Sequence, residues 1–367
     1  MASDTKPASG FEEGLKGASE KVAEFHEDKS VLKRLQHWLH QTPSAVPMIV
    51  LIAALIIFGF LSANFFKITT LSTILQQIAI VGILGCAQSI VVLTAGIDLS
   101  VGAIAVFSSV LMGQMSFRYF IPMEIPYAAE LSIAIGLVLG TAMGAMNGVL
   151  IAKMKLPPFI VTLGTWQILL SANFIFSANE TIRSSDIGER APALQIWGKT
   201  VPSEAPPGDL KVLYAVFLMI VLVAIMSYVL RSTAWGRHVY AVGDDPEAAA
   251  LAGVNTSQVL IQVYALAGFF CAIAGWVMIG RFGSVSPTAS TGQLGNIQSI
   301  TAVVIGGISL FGGRGSIVGM FFGALIVGVF EMGLRLVGTD PQWTFFLIGV
   351  LIIFAVAVDQ WIRKASA

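Results

Sequence analysis

The stretch "VLTAGIDLSVGAIAV", residues 92–106, joins two long apolar runs across Gly96 and Asp98. A carboxylate between such runs is costly to bury unless it is paired or hydrogen-bonded. It can be a substrate ligand, a proton carrier or a structural cap. Gly96 permits a tight turn. Asp98 then falls at the N-cap of the second run, with Ser100 just inside. Free amides and the positive helix end offset the burial of a carboxylate there. This spacing favours a cap, with Gly96, Asp98 and Ser100 shaping an inner gate. A proton carrier would sit mid-helix. Glu331 is the other acid deep in an apolar run, one helical turn from Arg335.

Composition extends the membrane reading to the whole chain. The 367 residues are 56% apolar and 11% charged, with mean hydropathy +0.82. Soluble domains carry about 25% charged residues, so much of this surface must face membrane lipid. The formal net charge is zero, which gives no basic footprint for nucleic acid. Cys86 and Cys271 both lie in apolar runs and form neither a disulfide framework nor a metal spacing. Residues 1–40 hold 13 charged side chains and no apolar core of a signal peptide. Within a tail of residues 1–45, Phe25, Val31, Leu32 and Leu35 share one side of a possible amphipathic helix. A solvated arm fits equally well.

A span needs about 20 mostly apolar residues. Ten are expected: 46–66, 73–94, 99–119, 128–152, 157–178, 210–230, 257–280, 296–311, 315–337 and 343–362. The expected fold is therefore an all-α polytopic membrane protein, with a transmembrane domain over 46–362. Basic residues concentrate in alternate loops, at Lys153, Lys155, Arg231, Arg237, Arg314, Arg363 and Lys364. The opposite loops are longer and mix their basic residues with acids. This bias puts both termini in the cytoplasm. Residues 179–209 become an outside loop with room for short interfacial helices.

Landmarks recur at one step. Pro157 and Pro341 are 184 apart, Gly164 and Gly349 are 185 apart, and Gly136 and Gly140 match Gly319 and Gly323. Spans 2–5 and 7–10 then form related units. Their offset of five spans is odd, so the units run in opposite directions, as in an inverted-repeat transporter. Gly136, Gly140, Gly144 and Gly148 line one helix face, and Gly315, Gly319 and Gly323 repeat the pattern. Both read as packing seams.

Residues 236–254, "GRHVYAVGDDPEAAALAGV", form a cytoplasmic segment with its own helix signals. Asp245 suits an N-cap, Pro246 the first helical position, Glu247 the positive helix end, and Gly253 the stop. The segment is either a plain connector or a helix presented to another protein.

Four stretches, "LTAGIDLSVGA", "FIVTLGT", "GRHVYAVGDDPEAAALAGV" and "VVIGGISLFGGRGSIVG", occur in that order. Together they resemble the membrane subunit of bacterial ATP-binding-cassette importers for monosaccharides, over residues 45–362. The resemblance implies a permease homodimer in the inner membrane, paired with two ATPase subunits and fed by a periplasmic sugar-binding protein. It implies that ATP and Mg sit on the partner ATPase and that this chain binds no cofactor. It also makes residues 244–253 the coupling helix, comprising Asp244, Asp245, Pro246, Glu247, Ala248, Ala249, Ala250, Leu251 and Gly253. The sequence itself carries no phosphate-binding G-x-x-x-x-G-K-[ST] loop. No Ser–His–acid set or metal-ligand cluster stands out either, so catalysis by this chain is not expected.

A sugar path needs hydroxyl partners and a flat apolar surface. On span 5, Thr162, Thr165 and Trp166 share a face by i, i+3, i+4 spacing, with Asn173 further along. Trp166 fits packing against lipid or a neighbouring helix equally well. Asn147, Asn296 and Gln298 are further candidates. The expected function is import of a monosaccharide, with fructose, ribose or mannose as the candidates. Alternatives are a branched-chain amino-acid permease of related build, a secondary sugar symporter, and a membrane scaffold.

Overall fold

The computed structural model describes residues 45–202 and 211–364. The expected charged tail lies outside the described residues, as does part of the outside loop. Each of the ten expected spans is a helix: α1 Ala45–Leu61, α2 Ile68–Leu93, α3 Val101–Gln114, α4 Ala128–Met154, α5 Pro158–Ser177, α7 Tyr214–Ser232, α10 Thr256–Phe282, α11 Ala289–Ile305, α12 Ile317–Val337 and α13 Pro341–Lys364. Three short helices lie between spans: α6 Ser184–Arg190, α8 Ala234–Asp244 and α9 Pro246–Leu251. The protein is an all-α polytopic membrane protein.

The ten helices differ in how well they match a full span. Seven helices among the described residues are long and apolar enough to cross a bilayer, α3 by running on through the π-helical turn Met115–Phe120. α1 has 17 residues, and the apolar stretch of α13 is Gln342–Phe354. α11 also has 17 residues and carries Gln293, Asn296, Gln298 and Ser299. It begins seven residues before the expected position. Asn296 and Ser299 are buried in protein, and a helix shielded in this way need not match lipid in length or polarity.

The helices pair in a swapped, two-fold pattern. α2 packs on α12 and α11, while α10 packs on α4 and α3. α3 lies against α4 and α5, and α11 lies against α12 and α13 in the same way. The two second helices, α3 and α11, meet each other. This is a two-fold pattern of contacts between spans 2–5 and spans 7–10. α2 is buried along nearly its whole length, which is why its sequence is apolar without a polar face.

The first glycine ladder is a packing seam. A Cβ at Gly144 would collide with the backbone of Tyr264 and Gly268, and one at Gly148 with Ile261, all on α10. In lipid such close approach supplies the dispersion contacts that hold helices together. Gly319 and Gly323 press similarly on Gly306 and Ala302. Gly315 is not part of that ladder: it precedes α12 in a turn at φ +126°.

The connection between α5 and α7 is fastened to the end of α10. Ile182 pairs with Val285 as an isolated bridge. Trp276 Nε1 donates to the Ala193 carbonyl at 3.2 Å, and Gln195 Nε2 donates to the Gly283 carbonyl at 2.9 Å. Two-residue strands Thr200–Val201 and Val212–Leu213 pair antiparallel and close the loop.

Gly144→Leu should overpack the α4–α10 seam and cost about 1–3 kcal/mol or more. Gly164, with open space around its Cα, should accept alanine within about 0.5 kcal/mol. Thermal unfolding of the two solubilised variants checks this, and equal melting temperatures would remove the seam argument.

Candidate functional site

The connection between α2 and α3 is not a simple turn at the membrane edge. α2 ends with the Thr94 N–H on the Val91 carbonyl at 3.0 Å, and Gly96 N–H reaches the same carbonyl at 3.1 Å. The chain then climbs among the helices as non-helical backbone. Ser100 meets Asn147, seven residues before the end of α4, or about 10 Å up that helix at 1.5 Å per residue. Gly102 meets Asn296, nine residues before the end of α11, or about 14 Å. Asp98 is 2% exposed.

Ser100, not Asp98, is the N-cap of α3. The Asp98 carboxylate instead closes a local turn: its Oδ1 accepts from Ser100 N–H at 2.7 Å and from Ser100 Oγ–H at 2.6 Å. Aspartate commonly bonds the backbone two residues on in this way. From there a buried chain of hydrogen bonds runs outward. Asn147 Nδ2 donates to Ser100 Oγ at 3.0 Å, and Thr165 Oγ1 donates to Asn147 Oδ1 at 2.6 Å. Leu99 N–H donates to Thr162 Oγ1 at 3.1 Å. Asn296 holds the other side, with Gly102 N–H on its Oδ1 at 2.5 Å and its Nδ2 donating to the Leu99 carbonyl.

The structure therefore brings Asp98, Ser100, Thr162 and Thr165 into one cluster with Asn147 and Asn296. Thr162 and Thr165 are 0% and 4% exposed. As described they bind the broken segment and line no open passage. Trp166 is half-buried against the apolar core, and Asn173 is buried two turns beyond Thr165 on α5. Gly96 leaves room for Tyr264: a Cβ there would meet the Tyr264 hydroxyl at 2.7 Å. Sequence reasoning missed Tyr264, because nothing in an apolar helix announces a long-range contact. It ranked Asn296 low for the same reason.

Below this cluster lies a joint of close backbone contacts. Gly313 N–H donates to the Leu93 carbonyl at 3.0 Å, and Gly243 at the end of α8 presses on both residues. Tyr240 Oη donates to the Gly315 carbonyl at 2.9 Å. Burial raises the Tyr240 hydroxyl above its ordinary range, which keeps it a donor at neutral pH. The α8–α9 segment thus touches the end of α2 and the turn between α11 and α12.

The α9 helix forms as its sequence implies. Asp245 Oδ1 accepts from Glu247 N–H at 2.9 Å and from Ala248 N–H at 3.0 Å, Pro246 opens the helix, and Gly253 follows its end at φ +87°. Asp244, Glu247, Ala248 and Ala250 are exposed. Ala249 points inward at 5% exposure, so it belongs to this chain's own packing. Leu251 is 91% exposed, an apolar side chain left open on this segment.

Asp98→Leu would orphan the Ser100 N–H and leave its hydroxyl without an acceptor, at a cost of about 1–3 kcal/mol. Asp98→Asn keeps an acceptor and should lose less. Asn296→Leu strands two backbone groups and should cost at least as much as Asp98→Leu. Melting temperatures of the solubilised variants check the order, and an Asn variant as unstable as the Leu variant would show that the charge itself is required.

A family model described as "Branched-chain amino acid transport system / permease component" matches residues 70–356. The fructose import permease protein FrcC of Rhizobium meliloti is 60% identical over 364 residues, covering 99% of this chain and 98% of that protein. The ribose import permease protein RbsC of Escherichia coli K12 is 34% identical, covering 88% and 94%. The galactose/methyl galactoside import permease protein MglC of Salmonella typhimurium is 31% identical, covering 88% and 95%. No solved structure matches the chain at a significant level. With the family model spanning most of its length and these import permeases aligning along nearly all of it, the chain belongs to the family of permease components of transport systems.

Proposed function

We propose that this chain is the membrane permease subunit of an ATP-driven importer that takes fructose from a periplasmic binding protein and releases it into the cytoplasm. The sugar follows from the near-full-length likeness to a fructose import permease at 60% identity. The structural observation that carries the mechanism is the α9 helix, capped at both ends, with Leu251 open to solvent. An exposed apolar side chain on a short, well-defined helix suits a groove on another protein. The partner would be an ATP-binding cassette subunit holding ATP and Mg, with Asp244–Gly253 as the coupling segment. A second permease copy completes the assembly. The alternation of basic loops supports an inner-membrane orientation with both termini cytoplasmic.

Movement of α9 would pass through α8 to the Gly243–Leu93–Gly313 joint. That joint ends the segment whose upper part is clamped by Thr162, Asn147 and Asn296. Gly96, Asp98 and Ser100 then act as the inner gate, sealed in the described state. Thr162, Thr165 and Trp166 would line the path only when the segment leaves α5, with Asn173 further toward the outside. No charge need move, so energy enters through the partner alone.

The test is uptake by proteoliposomes holding the permease, its ATPase and its binding protein. Labelled fructose should enter only with ATP, and leucine should not compete. Competition by leucine would favour the amino-acid reading, and uptake without the ATPase would favour a symporter. Leu251→Asp should cut ATPase co-purification and uptake at least tenfold, while the permease still reaches the membrane. Normal co-purification would remove α9 from the interface.

A further inference from the structure

A second polar cluster lies away from the gate. Glu331 on α12 sits one turn from Arg335, whose guanidinium is 3.5 Å from Glu331 Oε1. Gln298 of α11 donates from Nε2 to Glu331 Oε2 at 2.9 Å. Arg281, whose guanidinium donates to the Gln77 carbonyl of α2 at 3.5 Å, lies near this carboxylate. Ionisable groups within spans are costly and are retained where they do work on a solute or a path. The pair is open on one side: the Arg335 side chain is 62% exposed and that of Glu331 24%. Both line a cavity of about 150 Å³ between α11, α12 and α13, together with Gln298, Thr339, Thr344 and Phe345.

Five polar side chains project from a wall that is otherwise apolar, with Leu294, Ile297 and Ile348 beside Phe345. A carboxylate accepts, a guanidinium donates through a planar fork, an amide does both, and two hydroxyls can do either. Phe345 adds an apolar ring face. The volume equals the liquid share of about five waters, the scale of a small compact solute. An amino acid would bring its own charges into a wall where Glu331 and Arg335 already satisfy each other. A neutral polyol would not.

We propose that the cavity walled by Gln298, Glu331, Arg335, Thr339, Thr344 and Phe345 is a monosaccharide-binding subsite of this permease. Glu331, held by Gln298 and Arg335, accepts sugar hydroxyls, and Phe345 covers the C–H face. Binding is weak, since the cargo must leave again. The assignment rests on the sugar-import reading and adds to it a place in the chain. It also puts the solute on the second repeat unit, apart from the sealed gate beside α5.

The experiment uses the complete importer in proteoliposomes. Thr344→Cys places a thiol on the cavity wall, while the native Cys86 and Cys271 are fully buried. Labelling by a small polar thiol reagent is timed alone, with fructose, with ribose and with leucine. Fructose should slow it at least threefold and leucine should not. In parallel, Gln298→Leu and Glu331→Gln should each lower fructose uptake five- to tenfold. Labelling that fructose leaves unchanged, or uptake unchanged in both variants, overturns the subsite. If either variant fails to reach the membrane, the labelling arm decides. Protection by leucine instead of fructose would show an amino-acid subsite and overturn the proposal. A wild-type importer that takes up no sugar would fail the sugar-import reading itself, a result separate from loss of the subsite.

Discussion

Backbone amides and carbonyls that leave a helix inside a membrane need partners from the protein, because lipid offers none. Residues 94–100 are the place where this chain meets that demand most sharply. Their path carries non-helical backbone about one to three helical turns into the bundle. The deepest groups take partners from elsewhere: Thr162 takes the Leu99 amide, and Asn296 takes the Leu99 carbonyl and the Gly102 amide. Asp98 takes the Ser100 amide locally. The positions of α4, α5 and α11 around α3 are tied to these bonds.

The same demand governs how the break is held. A continuous helix moves as a rod, whereas an extended segment held by side-chain hydrogen bonds can exchange one set of partners for another. Its lower end shares the Leu93 carbonyl with Gly313, and Gly243 packs against both. Close backbone approach at three points leaves little slack between the α8–α9 segment and residues 94–100. The glycine seam between α4 and α10 is close-packed in the same way.

Two parts of the sequence reading needed the folded chain to correct them. Asp98 was expected to cap α3 directly, but Ser100 holds that position and the carboxylate folds back on it. Spacing alone does not separate these arrangements, since both put an acid within two residues of a helix start. The resemblance set Ala249 among the coupling residues without distinguishing sides; in the fold it is buried, and Leu251 is the side chain left open. A six-residue helix shows too little periodicity to reveal which side its own protein covers.

The sequence by itself determined the class of molecule, the places of the ten helices, the repeat landmarks and the capping of α9. Each rests on local physics: hydropathy over about 20 residues, the fixed φ of proline, the freedom of glycine and the reach of a capping carboxylate. Only the tertiary structure decided which helices pair across the two units. It also showed that Asn147, Thr162, Thr165 and Asn296 converge on one loop, and that Glu331 borders a cavity. These contacts join residues 18 to 197 positions apart. A buried amide or hydroxyl in an apolar helix looks the same in sequence whether it faces a partner, a path or another helix, because its role is set by what the fold brings opposite it.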